Sequence, residues 1–126
     1  MKTHMIVRSI LVLLVLSVCL SVAAFAARAT VTITSTQNSA SSASIGTSKS
    51  ISYYASNYSS STRKLYADIY YSSDDSSWTV YKSNLLAVGG TVSNTASVSG
   101  SSYWKIKLDP KGLWTTGCNG YGYVSY

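Results

Sequence analysis

His4, Cys19 and Cys118 are the side chains of this 126-residue sequence best suited to nucleophilic, acid–base or soft-metal chemistry, and two of the three stand in its first twenty residues. Beyond position 26 there is no His, Glu, Met or Phe. The carboxylates there are Asp68, Asp74, Asp75 and Asp109. Without His, neither a Ser-His-Asp triad nor a Cys-His pair can be assembled. A glycosidase-type carboxylate pair would have to come from Asp74 with Asp75 or from Asp68 with Asp109. The first two are adjacent in a Ser-rich turn, where alternate directions suit solvent rather than a shared substrate. Zinc needs His or several Cys. Calcium needs several converging oxygens, and Ser72–Ser77 supplies oxygens without an alternating Asp spacing. The expectation is a protein that is not an enzyme and uses no metal and no cofactor.

What remains is the chemistry of recognition. All 11 Tyr and all three Trp lie beyond position 26, and Tyr and Trp give large contact area with a polar tip at low entropic cost. On strands that alternate inward and outward, the outward positions include Tyr66, Asp68 and Tyr70, then Tyr103, Lys105 and Lys107, then Tyr121 and Tyr123. If those three strands are neighbours, they form one flat Tyr/Lys face. The candidate binding residues are therefore Tyr66, Tyr70, Tyr103, Lys105, Lys107, Tyr121 and Tyr123. The competing explanation is structural, because cross-strand aromatic pairs stabilise an exposed sheet face by themselves. Cys118 is a lone cysteine if Cys19 is removed with a leader. It is either an accessible thiol able to pair between chains or a small buried residue beside the last strand.

The elements that must position these residues follow from the patterning. Lys2 and Arg8 precede an uncharged run from Ile10 to Ala27, and Ala24-Phe25-Ala26 meets the small-x-small rule of signal peptidase. Residues 1–26 thus read as a secretory signal, with cleavage after Ala26, or after Ala29 as second choice. An uncleaved anchor is disfavoured by the Ala-rich exit. A lipoprotein signal at Cys19 is disfavoured by the β-branched Val18 before it. Residues 27–126 are expected as a single secreted domain with eight Lys or Arg against four Asp, a net charge of +4. The cations are scattered rather than striped, so nucleic acid is not expected as a partner. Attraction to anionic cell surfaces is the most that the charge supports.

Within that domain, 16 Val, Ile and Leu are too few to build a core alone, so some tyrosines must be core. Seven period-two segments can be drawn: 29–36, 49–58, 64–71, 78–83, 91–98, 103–108 and 121–126. Ser, Thr, Tyr and Val favour pleated surfaces, and no stretch competes as a helix. Residues 36–48 read as a loop. Ile51, Tyr53, Leu65, Ala67, Ile69, Trp78, Val80, Trp104, Ile106 and Leu108 are expected to point inward. Short strands at this spacing predict an all-β, antiparallel seven-stranded β-sandwich, Ig-like or fibronectin-type. Strands of nine to eleven residues with lipid-facing apolar rows, as an outer-membrane barrel needs, are not present, so no stable membrane insertion of the domain is expected.

Tyr71-Ser72-Ser73-Asp74-Asp75-Ser76-Ser77-Trp78-Thr79 is similar to the Y-S-x-D-G-x-x-W hairpins of discoidin-like and other carbohydrate-associated β-domains. Asp75 stands where those hairpins carry Gly, and the likeness covers nine residues. It implies a shared turn in which Trp78 packs back on the hairpin. The leading expectation is a secreted, non-catalytic domain whose partner is an extracellular glycan, cell-wall polymer or protein. The alternatives are a small secreted antagonist, such as an antibacterial toxin or enzyme inhibitor, and a self-assembling matrix protein. Asn57-Tyr58-Ser59 is a glycosylation sequon in a eukaryotic host.

Overall fold

A computed structural model describes residues 27–126, and the leader read over residues 1–26 lies outside them. Among the described residues there is no helix. Seven antiparallel strands run β1 (Arg28–Ile33), β2 (Ala40–Ser41), β3 (Ile45–Asn57), β4 (Leu65–Ser72), β5 (Thr79–Leu86), β6 (Thr91–Pro110) and β7 (Gly120–Ser125). They form one hydrogen-bonded sheet in the order β1-β7-β3-β6-β4-β5, and β2 pairs with β6 off that path.

Period-two alternation explains most of these strands. In β4, Leu65, Ala67 and Ile69 are fully buried, while Tyr66, Asp68 and Tyr70 between them are half-buried. The second half of β6 repeats the pattern with Trp104, Ile106 and Leu108 inward. Tyr53 is buried in β3 at 1% exposure, so tyrosine does supply core volume that aliphatic residues lack. The same pattern fails in β5. Val80 is 49% exposed and Trp78 only half-buried, which corrects the inward expectation for both. Strand β5 is an edge paired only with β4, and a register shift between Ile69 and Tyr70 turns its start out of phase. A bulge of this kind re-aims the side chains that follow it.

The 20 residues of β6 organise the sheet. Thr91–Ser97 pairs with Ser56–Ser50 of β3, and Tyr103–Pro110 pairs with Ser72–Leu65 of β4. The sequence suggests two strands here, broken at Ser99-Gly100-Ser101-Ser102. The chain instead stays extended through them, and the Ser102 hydroxyl donates to the Gly100 carbonyl at 3.1 Å. Strand β3 carries the matching irregularities at Ile45/Ser48 and Ser48/Ser50. One strand thus serves two arms of the sheet, β1-β7-β3 on one side and β4-β5 on the other. Buried residues of both arms, among them Ile33, Tyr53 and Val124 with Leu65, Ile69, Trp104 and Ile106, form one hydrophobic cluster.

Two close approaches hold that cluster. A Cβ on Gly122 of β7 would fall 2.8 Å from Ile106 Cδ1 of β6, and one on Gly120 would fall 2.5 Å from the Ser56 carbonyl oxygen. A side chain at either place would force its neighbours to move. The stretch 36–48, read as a loop, contributes β2 instead. Ala40 and Ser41 pair with Leu108 and Lys107. Ser42 then exchanges bonds with Ile106: its N–H donates to the Ile106 carbonyl at 2.9 Å, and its hydroxyl accepts the Ile106 N–H at 3.1 Å. A Ser-rich segment satisfies the free edge of β6 without showing an alternating pattern.

Candidate functional site

The outward residues of β4 and of the second half of β6 lie side by side. Tyr66 is paired with Asp109, Asp68 with Lys107, and Tyr70 with Lys105. Lys105 ties this face together. Its Nζ lies 4.3 Å from the centroid of the Trp78 ring and 5.6 Å from that of Tyr70. A cation over two ring faces is attracted by their quadrupoles. Trp78, at the end of the β4–β5 hairpin, therefore reaches across β4 to the neighbouring strand. The local likeness implies packing back on the hairpin, and the contact with Lys105 extends the reach of Trp78 to the neighbouring strand.

The hairpin itself is built by Asp74. Its Oδ1 accepts the Ser72 hydroxyl at 2.9 Å and the N–H groups of Ser76 and Ser77 at 2.9 and 2.8 Å. These bonds hold the Asp74 carboxyl below the ordinary carboxylate range. Asp75, at the position where similar hairpins carry Gly, takes φ of +58°, a left-handed conformation that Asp tolerates better than most residues.

Charge on the face is balanced and partly desolvated. Burial raises the Asp68 carboxyl, offset in part by the hydroxyl that Ser83 of β5 donates to it. Burial, reinforced by the charges of Asp68 and Asp109, also pushes the Tyr70 phenol up, so it stays a neutral hydrogen-bond donor. At the Leu65 end of β4 the face runs into a shallow cleft of about 200 Å³, lined by Asn38, Ser39, Lys107, Asp109, Gly112, Leu113 and Trp114.

The predicted seven-residue face does not come together as one. Tyr66, Tyr70, Lys105 and Lys107 do share this surface. Tyr103 points the same way, but its ring packs over Gly46, where any side chain would collide with it. Tyr121 and Tyr123 lie elsewhere, because β7 sits between β1 and β3 rather than beside β4 or the second half of β6. There they join Tyr54 of β3. The Tyr54 and Tyr123 rings stack at 5.7 Å and 23°, Tyr121 lies 6.4 and 6.3 Å from the two, and the Arg28 guanidinium caps Tyr123 at 4.0 Å. These rings are satisfied by one another, as cross-strand aromatic pairs usually are.

The sequence reading missed three contributors. The alternation points Trp78 inward, Asp109 enters only as a possible carboxylate partner of Asp68, and Trp114 carries no assigned role. The signal for Trp114 was present: Pro110 and Gly112 break the alternation after Leu108, and an apolar pair directly after such a break has no strand to bury it. Cys118 takes the buried alternative. It is fully enclosed, its thiol donates to the Arg63 carbonyl at 3.3 Å, and burial pushes the thiol up. Asn57 of the sequon is also fully buried, donating to the carbonyls of Arg63 and Leu86 at 3.0 and 3.2 Å, which makes it a poor glycan acceptor in the folded chain.

No family model matches the chain, and no curated protein matches it. Among solved structures it is similar to PirA, at 10% identity and a TM-score of 0.48 over 81% of this chain and 94% of that one. It is also similar to the Yersinia pseudotuberculosis-derived mitogen, at 14% identity and a TM-score of 0.41 over 80% of this chain and 84% of that one.

Proposed function

We propose that the chain is a non-catalytic, exported module that binds an extracellular glycan or cell-wall polymer along the outward face of β4 and β6. Tyr66, Tyr70 and Trp78 serve as stacking platforms for the apolar faces of sugar rings. Lys105, Lys107, Asp109 and Asn38 bond to sugar hydroxyls. The observation that carries this reading is continuity: an aromatic strip with charged groups at fixed spacing opens at one end into a polar cleft walled by Trp114. Flat aromatic area combined with a few placed polar groups is how shallow sites gain both contact and orientation.

Two further readings belong to this proposal. The sheet is a sandwich in its general form. That is supported by β6 serving both arms and by the single core they share. An immunoglobulin-type order, in which the third, sixth and seventh strands neighbour one another, has less support, because β7 pairs with β1 and β3. Export rests on the sequence of residues 1–26 alone. The binding reading is tested by retention of the purified protein on insoluble chitin, cellulose and peptidoglycan. Tyr66→Ser with Tyr70→Ser and Lys107→Ser should abolish retention while the fold persists. Undiminished retention of that variant would remove the proposal.

A further inference from the structure

The two most exposed large apolar side chains of the described residues are neighbours. Leu113 is 86% exposed and Trp114 80%, at the tip of the connection between β6 and β7. This tip is not a loose loop. The Thr115 hydroxyl lies 3.1 Å from each of the carbonyl oxygens of Pro110, Lys111 and Gly112, and the Gly117 N–H donates to the Ser35 carbonyl at 3.0 Å. Trp114 itself is held at φ of +56°. A bulky residue gains nothing from the left-handed region, and a backbone outlier at an exposed tip motivates a functional explanation. Here the outlier presents the indole outward.

Cations outnumber carboxylates around the tip, where Asp109 also lines the adjoining cleft with Leu113 and Trp114. The Lys111 N–H donates to the Lys64 carbonyl at 2.9 Å, and the Arg63 guanidinium donates to the Lys111 carbonyl at 3.4 Å. All three cationic side chains are exposed. Asp74 and Asp75 lie beyond Ser72, at the opposite end of β4 from Leu65. Across that strand, roughly 26 Å long at about 3.3 Å per residue, the molecule is polarised, with its exposed apolar pair at the cationic end.

We propose that the Gly112–Trp114 tip docks the protein peripherally on an anionic lipid surface. Trp114 and Leu113 enter the headgroup region, and Arg63, Lys64 and Lys111 contact anionic headgroups. Indole rings favour the interface between water and hydrocarbon. A short apolar wedge backed by cations binds reversibly rather than spanning the bilayer. The complementarity selects the occupant: a neutral surface or a second copy of this cationic end would leave the three cations uncompensated. This inference does not depend on the glycan reading, because the probe carries no sugar.

The test is co-sedimentation of the purified protein with sucrose-loaded vesicles, either of phosphatidylcholine alone or of phosphatidylcholine mixed with phosphatidylserine, whose negative surface potential attracts basic segments. Preferential binding to the anionic vesicles is expected, weakened by raising salt as exposed charge pairs are screened. Each of Arg63→Gln, Lys64→Gln and Lys111→Gln should lower the partition coefficient on the order of five-fold. Leu113→Ser combined with Trp114→Asn should lower it at least tenfold with an unchanged urea midpoint, since Asn tolerates the left-handed region. Brominated lipids should quench part of the fluorescence of the wild type and none of that of the Trp114→Asn variant. Equal or absent binding to the two vesicle types would overturn the proposal. So would a tip variant that binds as the wild type does, or one that instead abolishes a concentration-dependent dimer.

Discussion

The contact between Gly122 of β7 and Ile106 of β6 joins one arm of the sheet to the half of β6 that pairs with the other, so it reports on whether the two arms share a core. A methyl on Gly122 would stand 2.8 Å from Ile106 Cδ1 and 3.1 Å from the Tyr54 carbonyl oxygen. Two carbons are comfortable at about 3.5–4.0 Å, so the Ile106 methyl must retreat by the better part of an ångström inside a closely packed interior. Overpacking of that size costs about 1–3 kcal/mol. Replacing Gly returns about 0.5–1 kcal/mol through the unfolded chain, which leaves a net loss of about 0–2.5 kcal/mol, centred on roughly 1 kcal/mol, for Gly122→Ala. Ile106→Val deletes the Cδ1 in the way and by itself costs about 0.5–1.5 kcal/mol. In the double variant the deleted methyl makes room for the added one. Its destabilisation should fall short of the sum of the two by about 1 kcal/mol, the size of coupling expected between residues in contact. Rescue stays partial because the Tyr54 oxygen cannot move as freely as a side chain. Urea unfolding of the four proteins, followed by tryptophan fluorescence, completes the cycle. Strict additivity, or a double variant worse than the sum, would refute a core shared across β6 and β7.

Other perturbations probe the buried polar groups and the carboxylates. The Tyr53 hydroxyl is buried and has no hydrogen-bond partner among the described residues, so Tyr53→Phe should raise stability by about 1 kcal/mol by removing an unpaired polar atom. A loss of similar size in urea unfolding would show that the hydroxyl is satisfied. Asp68 and Asp74 should give opposite pH dependences. Burial raises the folded-state pKa of Asp68 above its ordinary 3.8, so the unfolded chain releases that proton first and stability falls as pH rises through this range. Asp68→Asn should therefore match the wild type near pH 2.5 and exceed it at pH 7. Hydrogen bonds lower the folded-state pKa of Asp74 below 3.8. Its contribution is present above that value and lost as pH falls through the folded-state pKa, so Asp74→Asn should be the weaker protein at pH 7 and converge on the wild type in acid. Thermal midpoints across pH 2–8 test both signs, and parallel curves for the two variants would contradict them.

Much of the fold was legible because strand residues alternate wherever one face is buried. Leu65, Ala67 and Ile69, and Trp104, Ile106 and Leu108, announce their strands and their faces by themselves. What was not legible depends on neighbours in space. The continuity of β6 through Ser99–Ser102 is decided by pairing with β3 and β4, and no local signal separates an extended Ser-Gly-Ser-Ser from a turn. Strand β2 is two residues long, and its partners lie in β6, more than sixty positions away. The outward turn of Val80 and Trp78 follows from a register shift opposite Ile69/Tyr70, which the β5 segment alone does not encode. The candidate face was half legible for the same reason. Tyr66, Tyr70, Lys105 and Lys107 were placed by alternation within two strands that do pair, whereas Tyr121 and Tyr123 were assigned to the same face through an assumed strand order. The position of β7 between β1 and β3 moves them to the Tyr54 cluster.

That division of the tyrosines makes the central claim directly measurable. Two triple variants, Tyr66→Ser/Tyr70→Ser/Lys107→Ser on the β4–β6 face and Tyr54→Ser/Tyr121→Ser/Tyr123→Ser on the other arm, should be compared with the wild type for retention on insoluble chitin, cellulose and peptidoglycan. If the β4–β6 face is the binding surface, the wild type and the second variant are retained on at least one polymer while the first loses at least tenfold in affinity. Retention that survives in the first variant and vanishes in the second would contradict the account, as would a wild-type protein that none of the three polymers retains.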